Sequence, residues 1–336
     1  MSRLPARTLG RSDLEVTRLG LGLAALGRPA YITLGRDEDL GDRRSPEAMY
    51  ARAAAMLDAA WAAGVRYVDA ARSYGRAEEF LGRWLAARGL TPAALTVGSK
   101  WGYRYTGEWE MDAAVHEQKE LTLDRFTMQV FQSRGWLGDA LDLYQIHSAT
   151  LESGCLADAD LLWHLAEGRR KGLYRAVGLT LSGPGSADTL ARALDVEVDG
   201  APIFDAVQGT LNVLEPSLAP RLAEAHARGR GVLVKEAFAN GRLSDANGRP
   251  EDTGLLRRLR AVARDAGLSL DQLAVAFVLA HPFVDVCISG AATPAQLASN
   301  VQATEASLAP GVLADLADLA ETPPTYWDTR ASLPWQ

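Results

Sequence analysis

The sequence is poor in the features that tie a chain to metals, membranes or nucleic acids. Its 336 residues hold only two cysteines, Cys155 and Cys287. They are far apart and lack metal-ligand spacing, so neither a disulfide framework nor a zinc site is expected, and the compartment reads as reducing. Basic residues are in deficit: 35 Lys and Arg stand against 42 Asp and Glu, a formal charge of −7. Charges of both signs are interspersed, so the footprint of a nucleic-acid or anionic-membrane binder is missing. No segment approaches the roughly 20 apolar residues of a membrane span, and Met1–Arg7 carries no apolar leader. The expectation is a cytoplasmic protein. Low-complexity linkers, Pro/Ser-rich tracts and charge blocks are also missing, which sets one domain over 1–336. With 48% hydrophobic residues such a chain can bury a full core.

What is present is an alternation. Apolar runs near 16–22, 65–69, 94–99, 141–146, 173–180, 203–208, 231–235 and 283–289 read as strands. Helical stretches lie near 76–87, 115–135, 157–170, 186–195, 217–228 and 253–266, with others at 269–280, 294–302 and 311–320. A helix opened by Ser45-Pro46-Glu47 and ending near Gly64 precedes them. Eight strands buried on both faces and alternating with helices are the pattern of a (β/α)₈ TIM barrel. An open doubly wound sheet is the competitor, but no Gly-x-Gly-x-x-Gly follows the first strand.

Additions to the barrel are also legible. Residues 7–22 alternate around a Gly-Arg-Ser-Asp turn and predict an N-terminal hairpin, and 27–45 show neither period and predict a long loop, a candidate lid. The aromatic insertion from Trp101 to Trp109 suggests a substrate wall, with Trp101 and Tyr103 as its residues. After the extra C-terminal helices, the tail from Glu321 has three prolines and two tryptophans. It predicts an extended segment folded back onto the barrel, with Trp327 a further candidate for the wall.

Four polar residues sit just past strand ends. Val65-Arg66-Tyr67-Val68 runs into Asp69 and, five residues later, Tyr74, while Leu95-Thr96-Val97-Gly98-Ser99 ends in Lys100 and the run at 141–146 ends in His147. Taken singly each has an ordinary use: Asp69 as a cap or partner of Arg72, Tyr74 as a loop aromatic, Lys100 as a solvated cation, His147 as a satisfied buried imidazole. Their conjunction at strand C-termini, where barrels carry chemistry, reads otherwise. A nearby ammonium tunes a phenol for proton exchange, a carboxylate fixes that ammonium, and an imidazole orients a carbonyl oxygen. The set reads as a proton donor for a developing alkoxide.

Asp69-Ala70-Ala71-Arg72-Ser73-Tyr74-Gly75, followed by Glu78-Glu79-Phe80-Leu81-Gly82, resembles the signature of the aldo-keto reductases. Leu9–Val16, Asp142–His147, Val177-Gly178-Leu179 and Ala239–Leu243 fall in the same order. The resemblance implies hydride transfer between NADP(H) or NAD(H) and a small-molecule carbonyl or alcohol, with Tyr74 as general acid-base, Lys100 and Asp69 assisting, and His147 orienting the substrate. It also implies a nicotinamide amide site at Gln208 and Thr180, where Thr180-Leu181 stands in place of a Ser-Asn pair. Lys235 falls where an aromatic usually stacks. Ser289, Gly290, Ala291, Thr293, Gln296 and Asn300 form the phosphate seat at a helix start. Basic residues that clamp the 2′-phosphate of NADP are replaced by Gly290, Ala292 and Gln296, which points to relaxed specificity or to NAD(H). Two other readings of the same barrel are a cofactor-binding regulatory or redox-sensing subunit and a lyase or epimerase without net redox change. Substrate identity, reaction direction and oligomeric state are not written in the sequence.

Overall fold

The computed structural model describes residues 4–336; Met1–Arg3, on which the reading of the N-terminus partly rests, lie outside them. Eight strands close into a parallel barrel in sequence order: β1 Leu19–Gly22, β2 Tyr67–Asp69, β3 Thr96–Trp101, β4 Leu141–Ala149, β5 Ala176–Leu181, β6 Ala206–Thr210, β7 Gly231–Lys235 and β8 Val286–Ser289. Closure is made by Ser289 pairing with Leu21 across β8 and β1. A barrel of this kind has no free edge, so every strand can be apolar on both faces.

Side chains alternate across each strand, and the two faces build separate cores. Tyr67, Leu143, Ala176, Ala206, Leu233, Val286 and Ile288 fill the inside, joined by Leu9, Leu14 and Val16 of the N-terminal hairpin, which plug the lower mouth. Val68, Val97, Ile146, Val177 and Val234 face outward and pack under the helices. The alternation that sends Tyr67 inward sends Asp69 inward as well, and likewise Gln145 with His147, and Gly98 with Lys100.

Several elements differ from the sequence expectation. The apolar run at 16–22 is divided: Glu15–Thr17 pairs with Ala6–Thr8 as the plug hairpin, and only Leu19–Gly22 enters the barrel. The expected helix at 115–135 begins only at Leu123. Thr122 caps it by accepting from Arg125 N, and the preceding Glu117–Lys119 pairs antiparallel with Tyr103–Tyr105. Residues 115–121 offer no apolar helical stripe to bury, so the insertion spends its backbone groups on a hairpin instead. The tail is not extended. Thr322 caps a helix at Pro323–Ala331, whose two prolines occupy first-turn positions where no amide is needed. The chain then returns, with Tyr31 and Gln336 exchanging backbone hydrogen bonds and Ile32 bridging Trp335. Within the long loop, Arg36–Leu40 forms a short helix.

Candidate active site

Asp69 is the lowest of the polar residues and the most heavily held. Its Oδ1 accepts from the Lys100 ammonium, and its Oδ2 accepts from Tyr67 Oη at 3.0 Å, Gln208 Nε2 at 2.9 Å and Gln145 Nε2 at 3.4 Å. Lys100 Nζ also donates to Ala70 O at 2.9 Å. Four strands therefore converge on one buried carboxylate, and the ion pair is surrounded by donors rather than left bare. Gly98 makes the arrangement possible, because a Cβ there would lie 2.3 Å from Tyr67 Oη.

Tyr74 stands above this layer, on the turn leaving β2. That turn is pressed against the long loop: a Cβ on Gly27 would meet Tyr74 O at 2.3 Å, and Arg76 N donates to Gly27 O at 2.7 Å. The Lys100 ammonium lies 4.6 Å from the centre of the Tyr74 ring. His147 meets the same ring edge-on with centroids 5.6 Å apart, and Tyr103 closes on His147 at 4.8 Å. The structure thus gathers Asp69, Tyr74, Lys100 and His147 at one mouth of the barrel. Burial raises the Tyr74 phenol well above its ordinary value, reinforced by Asp69 and opposed by Arg28. Burial also drives His147 well below the usual imidazole value, with Lys100, Lys235 and Arg28 adding to it. At neutral pH the phenol keeps its proton and the imidazole is neutral, so the mouth presents a proton donor beside a neutral hydrogen-bonding ring.

A cavity of about 620 Å³ runs from Tyr74, His147 and Tyr103 past Gln208 and Lys235 to Gly290, Gln296 and Asn300. At its far end the helix Pro294–Ala303 begins with a reciprocal cap between Thr293 and Gln296. The Gln296 Oε1 accepts from Ala292 N at 2.9 Å and Thr293 N at 3.2 Å, and Ser289 Oγ accepts from Ala291 N and Asn300 Nδ2. Ser289 and Thr293 therefore support this end from behind rather than line it, a correction to the expected contact set. Asn300 Oδ1 is buried without a partner. Gln296 Nε2 also reaches Asp39 of the long loop, at 2.9 and 3.1 Å.

Thr180 departs further from expectation. Its hydroxyl accepts from Ser148 N at 2.8 Å and so holds the turn after His147, where Ser148 takes a left-handed φ of 53°. It is not in the cavity wall, whereas Ser182 is. Trp101 is likewise displaced. Strand alternation turns Lys100 in and Trp101 out, so the indole is 0% exposed and packs on Phe126 with centroids 5.1 Å apart. It belongs to the core, and Tyr103 alone of the expected pair faces the cavity. Lys235 lines the wall and bonds Thr210 Oγ1 at 3.1 Å. Beside it Glu236 accepts twice from Arg330 of the tail helix, at 2.7 and 2.9 Å. Burial would lift the Glu236 carboxyl, but Arg330 and Lys235 overcome it and hold the group at about 2.

The sequence reading expected the loop after Gly27 in the wall without naming its Arg28 or Tyr31, and it missed Glu117 and Trp335, which complete the outer wall, and Tyr67 and Gln145 beneath it. The period of two would have found the last pair, at two residues before Asp69 and His147. Nothing local marks the others.

The sequence model of the Aldo/keto reductase family matches residues 18–321. The chain belongs to that family. It is an oxidoreductase acting on carbonyls, and the family generally uses NAD(P)H. A D-threo-aldose 1-dehydrogenase from a Pseudomonas species is 26% identical, over 91% of this chain and 95% of its own length. An uncharacterised oxidoreductase of Bacillus subtilis is 25% identical, over 89% and 91%. Among solved structures, an aldo-keto reductase from Bacillus halodurans in its holo form superposes with a TM-score of 0.74 at 23% identity, covering 95% of this chain and 97% of that one. That likeness supports the barrel. No helix among the described residues is long and apolar enough to cross a membrane.

Proposed function

We propose that this chain interconverts an aldehyde, ketone or sugar lactol with its reduced or oxidised partner, using a nicotinamide dinucleotide and Tyr74 as the proton donor and acceptor. The reading is carried by one observation: Tyr74 and His147 meet at a cavity mouth directly above the buried Lys100–Asp69 pair, in a cavity continuous with a helix start. The residues at the far end suit a dinucleotide. Asn300 Oδ1 has an unmet acceptor, and the amides of Ala292 and Thr293 are occupied only by the Gln296 side chain, which a phosphate would replace. Gln208 and Lys235 line the stretch between the two ends. When bound, the dinucleotide supplies the hydride to the carbonyl carbon or takes it back.

The chain's own residues manage the proton. His147, neutral and in its donor tautomer, holds the carbonyl oxygen against Tyr74. Tyr74 gives its proton to that oxygen as charge develops, and the Lys100 ammonium beneath stabilises the phenolate left behind. Asp69 keeps Lys100 aimed. In the oxidative direction the same phenolate takes the alcohol proton.

The reading extends to cofactor choice. The cavity wall near Gln296 carries Asp39, and Arg36, which lines the cavity with it, is committed to the backbone carbonyls of Ala25, Arg28, Pro29 and Gln336, while Arg52 is committed to those of Asp39 and Leu40. With no free cation among the described residues there, the extra phosphate of NADP gains little, so NAD(H) is favoured. Titrating NADH and NADPH against the protein by fluorescence tests this, and a strong NADPH preference would overturn it. The aldose dehydrogenase among the relatives makes sugars the first substrates to screen, by following reduced nicotinamide absorbance in both directions.

A further inference from the structure

Lys235 ends β7 on the cavity wall, where its side chain is 18% exposed. Its ammonium donates to Thr210 Oγ1 at 3.1 Å and lies 3.6 Å from Glu236 Oε1, the oxygen that already accepts twice from Arg330. Thr210 Oγ1 in turn donates to Glu236 Oε2 at 2.9 Å. Two cations thus share one buried carboxylate, with the Trp327 ring 5.8 Å from the first and 5.7 Å from the second. Among the described residues no other carboxylate pairs with either of them. Held at about 2, Glu236 is ionised at neutral pH, and it opposes the lowering that burial imposes on the Lys235 ammonium. One positive charge is left over.

The remaining charges at this end cancel one for one, Lys100 with Asp69 and Arg28 with Glu117, while Tyr74 and His147 are uncharged. The surplus reaches the site of reaction: after burial and Lys100, Lys235 is the next cause of the depressed His147 value. Distances then decide what lies against it. Tyr74 and His147 hold the carbonyl oxygen, and the amides of Ala292 and Thr293 take the phosphates. Hydride passes between atoms only about 3–3.5 Å apart, so the nicotinamide ring must lie beside the carbonyl carbon, in the stretch that Gln208 and Lys235 line. That ring is a cation when oxidised and neutral when reduced. The phosphates carry the same charge in both states and drop out of the comparison. A fixed positive charge in a poorly solvated wall therefore favours the reduced form. We propose that the charge left over by Lys235 and Arg330 around Glu236 faces the nicotinamide ring and makes the bound cofactor a stronger oxidant than the free one, so that Lys235 biases this chain toward oxidising an alcohol. In that direction the carbinol C–H leaves as hydride with its two electrons for the ring, the hydroxyl proton passes to the Tyr74 phenolate, and the C–O bond becomes C=O. The inference rests on the reading of the cavity as a nicotinamide site.

The test is the ratio of dissociation constants for NAD⁺ and NADH, titrated calorimetrically against the full chain without substrate, with NADP⁺ and NADPH treated in the same way. The wild-type chain is expected to hold the reduced form about 10-fold tighter or more. Lys235→Met should bring that ratio down about 10-fold, which lowers the potential of the bound couple by about 30 mV, whereas Lys235→Arg should keep it. Glu236→Gln should move the ratio the other way, because it takes out the one anion of the group. A change of shape alone weakens both forms and leaves the ratio in place. A wild-type preference for the oxidised form, an unchanged ratio in Lys235→Met, or shifts of the same sign in Lys235→Met and Glu236→Gln would each overturn the proposal. Should either variant fail to fold, Arg330→Gln removes the second cation, with a fall in the ratio expected and an unchanged ratio decisive against it. Binding of both forms with a ratio that ignores these charges strikes this inference alone. No binding of any of the four nucleotides strikes the reading beneath it, and this inference with it.

Discussion

Beneath the cavity, Asp69 is fixed by Tyr67, Lys100, Gln145 and Gln208, all from barrel strands. Beside the cavity, Arg28, Glu117 and Trp335 come from a long loop, a hairpin and the chain's last turn. The floor is held by strand register, which backbone hydrogen bonds set residue by residue. The wall is held by side chains that meet only after three distant segments have been brought together. Chemistry common to many carbonyls belongs on the first kind of support, and discrimination among them on the second.

That contrast can be broken by substitution. Tyr74→Phe should lower kcat roughly 10²- to 10⁴-fold for every carbonyl alike, with the cofactor dissociation constant nearly unchanged; steady-state kinetics beside a binding titration checks both. Full activity in this variant would remove the proton donor from the scheme. Lys100→Met should act on the floor as a whole. It leaves a buried carboxylate with only neutral donors, at a cost of about 3–5 kcal/mol, read as a fall in the urea midpoint at constant m.

A third expectation uses pH. The folded chain depresses His147 below its unfolded value, chiefly by burial and then through Lys100, Lys235 and Arg28. Below about pH 6.5 the unfolded state binds a proton the folded state refuses. The stability this burial allows is therefore complete above that value and is lost as pH falls. Urea midpoints between about pH 8 and pH 5 should decline in the wild type and flatten in His147→Asn. The smallest effect is that of Tyr67→Phe, which removes one of the donors to Asp69 Oδ2 and should cost about 1 kcal/mol. A much larger loss would mean that the phenol does more than brace.

The same division explains what the sequence could reveal. Asp69, Lys100 and His147 were legible because each follows an apolar run whose alternation fixes where it points, and Tyr74 from its place five residues beyond Asp69 in the turn leaving the strand. Thr180 and Trp101 were misread one step beyond that logic. Trp101 follows an inward lysine and must therefore face out, and Thr180 is consumed by the left-handed turn at Ser148. The helix expected over 115–135 lost its first turns to a hairpin because residues 115–121 have no apolar face to bury. Arg28 and Trp335 carried no local mark at all. Their pairing depends on the backbone link between Tyr31 and Gln336, a contact spanning nearly the full chain.

Gly98 ties one further thread. Since even a methyl group there would collide with the Tyr67 hydroxyl, position 98 is not free to drift while Tyr67 stays as it is. Losing the phenol oxygen removes the 2.3 Å clash but leaves the ring's Cζ 3.0 Å from the added methyl, so alanine at 98 asks for a smaller or shifted side chain at 67. A library randomising both should therefore return residues larger than glycine at 98 only beside smaller ones at 67.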